Sequence, residues 1–147
     1  VDVNVQLVDG AFHEVDSSAL AFEIASRGAF REALQKGKSV LLEPIYKVEI
    51  YTTSDATARV TALVPQHRGQ ILGFDARQGW DGWDVVEALM PLAEMSNLII
   101  ELRSATAGVA SYKAAFDHMA ELTGRMAEMV MEARSKAAMS GFSPASA

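Results

Sequence analysis

Side chains that could carry out chemistry are few and scattered in this sequence. The histidines His13, His67 and His118 lie far apart, without the short spacing that metal ligands usually share. The chain has no cysteine, which excludes disulfides and thiolate sites. Ser17 and Ser18 lack the strand–turn–helix context of an activated serine, and the carboxylates form no recognisable acid–base pair. We therefore expect no catalytic residue, no metal site and no cofactor site within this chain.

The composition is that of a folded, acidic protein. Of the 147 residues, 50% are hydrophobic, and the net charge is −6. No segment has an excess of basic residues, which argues against a protein that coats nucleic acid in general. No apolar run is long enough to span a bilayer, and the start has no signal-peptide pattern. We expect a cytoplasmic protein with no membrane or DNA partner, and the missing initiator Met suggests a piece of a longer one.

Residues 1–40 have the pattern of a strand followed by a loop and a helix. Val3, Val5 and Leu7 alternate with polar residues, which predicts a half-buried strand. Residues 16–18 offer N-cap candidates for a helix, and Gly37 is a suitable residue to end it.

Residues 41–120 predict the order strand, helix, strand, strand, helix, strand. Ser54 is a candidate N-cap for the first helix, and Pro65 should end or kink it. Residues 79–82 predict the turn between the second and third strands. This order is the ferredoxin-like βαββαβ motif, an α+β fold with an antiparallel sheet and helices on one face. Residues 121–147 predict a C-terminal helix and a small, polar, flexible tail.

Short sequence runs resemble bacterial elongation factor G and stay in the order of that family. They are residues 7–10, 12–18, 21–22, 40–45, 47–49, 68–73, 91–95, 102–104 and 116–118. The resemblance implies that residues 1–40 end the fourth domain and that residues 41–120 form the ferredoxin-like fifth domain. In the family, a domain further upstream binds GTP and magnesium and is the GTPase. This chain contains no GxxxxGK[ST] loop, so we expect it not to be an enzyme itself.

The resemblance also implies which residues contact the ribosome. His13 matches the histidine at the tip of the fourth domain, which enters the decoding site as tRNA and mRNA move. An imidazole there can stack on bases or donate hydrogen bonds to RNA. Arg68 and Gly69 match a turn that faces ribosomal RNA, although they could simply form a helix exit with glycine at positive φ. Arg103 and Ser104 are weaker candidates, because a cation at a helix C-terminus is often structural.

Several alternatives stay open from the sequence. Trp80 and Trp83 flank the predicted turn and could stack on RNA, but folding over the sheet edge is the favoured interpretation. His67 stands where family members usually have an arginine, which weakens an electrostatic contact. A ribosome recycling or protection paralogue is therefore an alternative to a translocation factor. A stand-alone ferredoxin-like module that binds a ligand or protein is another, because this fold hosts many functions.

Overall fold

The computed structural model describes residue 1 and residues 3–140, the last three of these by their backbone alone. The chain forms two compact units, Val1–Ser39 and a second that begins at Val40. Most of the predicted flexible tail, residues 141–147, lies outside the described residues.

Helix α1, Ala19–Lys36, is the main element of the first unit. Ser18 is its N-cap, and the Ser18 hydroxyl oxygen accepts a hydrogen bond of 3.1 Å from the Ala21 N–H. At the other end the Gly37 N–H donates to the Ala33 carbonyl at 2.8 Å. Both predicted helix ends are confirmed, because each satisfies backbone groups that the helix itself leaves unpaired.

The strand predicted at Val3, Val5 and Leu7 is wrong. The described residues of this segment belong to no strand, and these three side chains are 63%, 69% and 89% exposed. Alternation indicates which side chains would share a face, but a strand also needs a hydrogen-bonded neighbour. The described strands all belong to one sheet in the second unit, so this segment has no strand beside it.

The second unit has the predicted ferredoxin-like order, and the α+β fold class is confirmed. Its elements are β1 Leu42–Thr53, α2 Thr57–Gln66, β2 Gln70–Ala76, β3 Trp83–Pro91, α3 Leu92–Ala105, β4 Ser111–Glu121 and α4 Gly124–Ser140. The four strands lie in the order β2-β3-β1-β4, and all neighbours are antiparallel. Strand β1 therefore lies inside the sheet, between β3 and β4.

One face of this sheet forms the core with α2 and α3. Alternate residues of β1 and β3 are buried against helix residues spaced by about one turn. The buried set is Val48, Ile50, Val60, Val64, Val86, Ala88, Met90, Met95, Leu98 and Leu102. Removing a side chain such as Leu98 from water contributes about 2 kcal/mol. The residues between them on β1, such as Lys47, Glu49 and Tyr51, lie on the opposite face and are only partly buried.

The N-cap predicted at Ser54 is wrong, because the Ser54 hydroxyl has a different partner. Helix α2 begins at Thr57, and no side chain caps its start. The Ser54 hydroxyl donates to Asp84 Oδ1 at 2.9 Å, and the Thr57 hydroxyl donates to Asp84 Oδ2 at 2.6 Å. A carboxylate on the neighbouring strand is a strong acceptor, and it joins the helix start to β3. The predicted end is confirmed, since Pro65 lies in the last turn of α2.

Candidate functional site

The loop that carries His13 is closed by backbone and side-chain hydrogen bonds. The Ser17 hydroxyl oxygen accepts from the His13 N–H at 2.7 Å, and the Ser17 N–H donates to the His13 carbonyl at 3.0 Å. The imidazole Nδ1 lies 3.4 Å from the Val15 nitrogen and 3.3 Å from Asp16 Oδ2. Both contacts use Nδ1, and the side chain is 69% exposed. The Nε2 edge of the ring is therefore the edge that can meet a partner.

Arg68 lies at the exit of α2 and is held by two carboxylates. Its Nη1 and Nη2 donate to the two oxygens of Glu43 at 2.9 and 3.0 Å, and its Nε donates to Glu94 at 3.2 Å. These hydrogen bonds, that to Glu43 foremost, raise the pKa of Arg68. The guanidinium is about one-third exposed, at 32%. The Arg68 charge is therefore largely neutralised within the fold.

Gly69 is required by close packing and not by its backbone angle, so the expected positive φ at this glycine is wrong. The residue with positive φ is Arg68, at 56°. A Cβ added to Gly69 would lie 2.0 Å from Met90 Sδ, 2.7 Å from Val64 Cγ1 and 2.9 Å from the Val64 carbonyl oxygen. Glycine lets β2 begin directly against the end of α2, because any side chain would overlap these atoms.

His67 is buried beside the same turn. Its Nδ1 lies 3.6 Å from Glu94, and its Nε2 lies 3.2 Å from Glu101. The Nε2 contact is not aligned as a hydrogen bond. Glu94 thus faces both His67 and Arg68, and His67, whose position resembles one where the family usually has an arginine, lies inside the protein.

Arg103 and Ser104 are exposed in the last turn of α3, as the sequence predicted. The helix end is fixed by the Thr106 hydroxyl, which donates to the Leu102 carbonyl at 2.7 Å, and by the Gly108 N–H, which donates to the Arg103 carbonyl at 2.8 Å. Among the described residues the Arg103 guanidinium has no ion pair. A cation at this position is also stabilised by the negative end of the helix dipole.

The loop between β2 and β3 carries an aromatic cluster that sequence reasoning only partly found. The rings of Trp80 and Trp83 meet edge to face, with centroids 5.5 Å apart. The Arg77 Cζ lies 4.0 Å from the centroid of the Trp80 ring and 4.5 Å from that of Tyr51. Arg77 was missed because it is distant from Tyr51 in sequence. Only the pairing of β1 with β3 brings Tyr51 close to the loop that carries Arg77.

The candidate residues belong to two different units of the chain. His13 belongs to the first unit, whereas the turn at Arg68 and Gly69 and the end of α3 at Arg103 belong to the second. No group of three or more histidine and acidic side chains in the described part of the chain could hold a metal ion. In the same part of the chain, no helix is both long and apolar enough to cross a bilayer.

Comparison with known protein families accounts for almost the whole described chain. The profile described as "Elongation factor G C-terminus" matches residues 40–130, and that described as "Elongation factor G, domain IV" matches residues 1–38. The chain belongs to the elongation factor G family. It corresponds to the C-terminal region of this translation elongation factor, and the family resemblance seen in the sequence is confirmed.

Individual proteins that are similar to this chain agree with this assignment. The chain is 52% identical over 132 residues to "Elongation factor G" of Rhodopseudomonas palustris, covering 90% of this chain. It is 49% identical over 127 residues to "Elongation factor G-like protein" of Synechocystis, covering 86% of this chain. A crystal structure of a Thermus thermophilus protein matches 87% of the chain, with 35% identity and a TM-score of 0.73. The chain spans 19% of the length of each of these proteins.

Proposed function

We propose that this chain is the ribosome-contacting C-terminal region of a translational GTPase that promotes movement of tRNA and mRNA. The observation that carries the proposal is the ordered match of both elongation factor G profiles along residues 1–38 and 40–130. In this proposal the whole protein acts in the cytoplasm. GTP and magnesium bind to a domain that lies upstream of this chain. The chain itself acts mechanically, and nucleotide hydrolysis elsewhere biases the arrangement of the domains.

His13 is the residue through which the first unit would act. Its loop is closed by Ser17, so the ring is presented from a short, constrained segment. Its exposed Nε2 edge can hydrogen-bond to RNA phosphates or hydroxyl groups, and its ring can stack on a base. The neighbouring acidic groups Glu14 and Asp16 disfavour a wide phosphate contact. We therefore propose a narrow contact by the imidazole itself.

In the second unit Arg103, an exposed cation with no ion pair among the described residues, is a better RNA contact than Arg68. Arg68 already binds Glu43 and Glu94, so an RNA phosphate would have to compete with two carboxylates. Arg103 and Ser104 are exposed at the end of α3. We propose that Arg68 and Gly69 mainly shape the turn, and that Arg103 and Ser104 provide the polar contact.

A chimera tests the proposed function directly. This chain replaces the matching C-terminal region of the Rhodopseudomonas palustris factor, to which it is 52% identical. We expect the chimera to pellet with ribosomes in the presence of a non-hydrolysable GTP analogue and to support translocation. His13→Ala should slow translocation at least about tenfold, as expected for losing one positioning contact of about 1.4 kcal/mol. Arg27→Ala, an exposed change elsewhere in the same unit, is the matched control.

Failure of the chimera to bind ribosomes or to translocate would contradict the proposed function. Ribosome binding without translocation would favour a recycling or protection role instead. An unchanged rate in His13→Ala would remove the imidazole from the mechanism while leaving the family role intact.

A further inference from the structure

The β2–β3 loop holds an arginine against two aromatic rings, at the end of the sheet where β2 ends and β3 begins. We name Tyr51, Arg77 and Trp80 the aromatic–arginine cluster. The Arg77 Cζ lies over both rings, at 4.5 Å from the Tyr51 centroid and 4.0 Å from that of Trp80. Half of the Trp80 surface remains exposed, at 50%. The cluster therefore presents an aromatic surface and a cation side by side.

The Arg77 guanidinium keeps its hydrogen-bond donors free within the described part of the chain. No carboxylate there forms an ion pair with it, and no acceptor takes a hydrogen bond from its side chain. Stacking on aromatic rings uses the faces of the guanidinium plane, whereas its N–H groups point outward in that plane. Such an edge fits two oxygens of one phosphate or carboxylate.

The loop that carries Arg77 and Trp80 is built rigidly. The Trp80 N–H donates to the Arg77 carbonyl, and the Trp83 N–H donates to the Trp80 carbonyl, both at 3.1 Å. These two consecutive turns have Gly79 and Gly82 as their third residues, with φ of 78° and 76°. A third-position φ of this sign strongly favours glycine. The cluster is thus pre-formed, which lowers the entropy cost of binding a ligand.

Charges around the cluster permit a local anion contact but not a broad one. Lys113 lies 5.6 Å from the Tyr51 centroid and adds a second cation. The Glu49 carboxylate accepts a hydrogen bond from the Tyr51 hydroxyl and keeps its negative charge beside the cluster. The exposed Asp75 and Asp81 repel further phosphates. An anion bound here would therefore contact about two cations, and no extended basic groove continues from the site.

From this geometry we propose that the aromatic–arginine cluster binds one nucleotide of an unpaired RNA strand. Arg77 would donate hydrogen bonds from its free edge to the phosphate, Lys113 would assist, and a base would stack on Trp80. The choice of RNA rests on the proposed function, which brings the chain to the ribosome. A protein carboxylate would use only the arginine and would leave the exposed indole without a role.

The direct test is a titration of the whole chain with a single-stranded oligoadenylate of about eight nucleotides, a length within the usual range for such sites. The chain has two tryptophans, one in this loop and one at the start of β3 in contact with it, so quenching of their fluorescence reports binding at the cluster. We expect saturable quenching with a dissociation constant of roughly 10⁻⁴ M. The slope of log K against log salt should be roughly −0.7, the value expected when one phosphate of a single strand is neutralised.

Variants test each part of the site by anisotropy of a labelled RNA. Arg77→Lys keeps the charge but loses the planar fork, and should weaken binding at least about fivefold. Trp80→Leu should weaken it about tenfold, through lost stacking. Arg59→Lys is the matched control, since Arg59 is exposed on α2 of the same unit, and it should change nothing. Circular dichroism confirms that each variant is folded.

Three outcomes would overturn this inference: no quenching at millimolar RNA, equal affinities for Arg77→Lys and Arg59→Lys, or equally tight binding of an acidic octapeptide. The last would assign the cluster to a protein carboxylate. The inference and the proposed function fail separately. If the chimera with Arg77→Lys translocates normally while the chain binds no RNA, only the inference is refuted. If the chimera is inactive but the cluster binds RNA, only the proposed function is refuted.

Discussion

Gly69→Ala is the substitution whose effect follows most directly from the packing of the second unit. The new methyl carbon would lie 2.0 Å from Met90 Sδ and 2.9 Å from the Val64 carbonyl oxygen. Met90 is fully buried, so its thioether has little space to move into, and the Val64 oxygen belongs to the backbone of α2. Overpacking of this kind costs about 1–3 kcal/mol. We expect about 3 kcal/mol, the upper end, because a backbone atom also blocks the way.

Urea unfolding followed by tryptophan fluorescence measures this loss, since both tryptophans lie in the second unit. With an m-value of about 1.5 kcal/mol/M, a loss of 3 kcal/mol lowers the unfolding midpoint by about 2 M. Gly73→Ala, within the strand β2 that follows Gly69, is the matched control, because nothing lies within 4 Å of its added Cβ. That change should stay within about 0.5 kcal/mol.

A double-mutant cycle separates the overlap from other effects of Gly69→Ala. Met90→Ala removes one of the overlapping groups, so Gly69→Ala should cost at least about 1 kcal/mol less in that background. If Gly69→Ala and Gly73→Ala unfold at the same urea concentration, the packing argument for this glycine is refuted.

Two further predictions concern charged groups of the second unit. A double-mutant cycle between Arg68 and Glu43 in urea unfolding should give a coupling of about 1 kcal/mol, a value discounted because the pair is partly exposed. The same cycle between Arg59 and Asp55, which are mostly exposed and 3.9 Å apart, should give almost no coupling energy. Equal coupling energies in the two cycles would contradict a stabilising ion pair between Arg68 and Glu43. The Thr53 hydroxyl and, more weakly, Arg59 lower the pKa of Asp55, so Thr53→Val should raise that pKa toward 3.8 in an NMR titration. Since the folded pKa is the lower one, the stabilisation by this carboxylate is present above pH 3.8 and is lost as the pH falls through the folded value. A Thr61→Val control should leave the titration of Asp55 unchanged.

Most of the fold could be predicted from the sequence because local signals agreed with the final packing. In β1 the apolar residues alternate, in α2 and α3 they recur at helical spacing, and the structure buries many of them in the core. Ser18 and Gly37 marked the ends of α1 for the same local reason. The strand at residues 3–7 failed, because a strand depends on a neighbour that the local sequence does not encode.

The candidate site was harder to predict, because its properties depend on long-range contacts. The sequence shows Arg68 as an exposed cation after a helix, whereas the structure pairs it with Glu43 and Glu94 from elsewhere in the chain. Gly69 looked like a glycine of a left-handed turn, but its neighbour adopts that conformation. Arg77 had no sequence signal at all, since its aromatic partner Tyr51 lies on another strand.

The interior position of β1 sets an order on the formation of the second unit. Strand β1 is synthesised first among the four, yet its partner β4, Ser111–Glu121, is synthesised last. A nascent chain that ends at Ala110 therefore has one open β1 edge, which is a ready template for wrong strand pairing. Closing the sheet requires contacts between distant parts of the sequence, which form slowly. During translation, this unit completes its own sheet only after β4, its last strand, has been made.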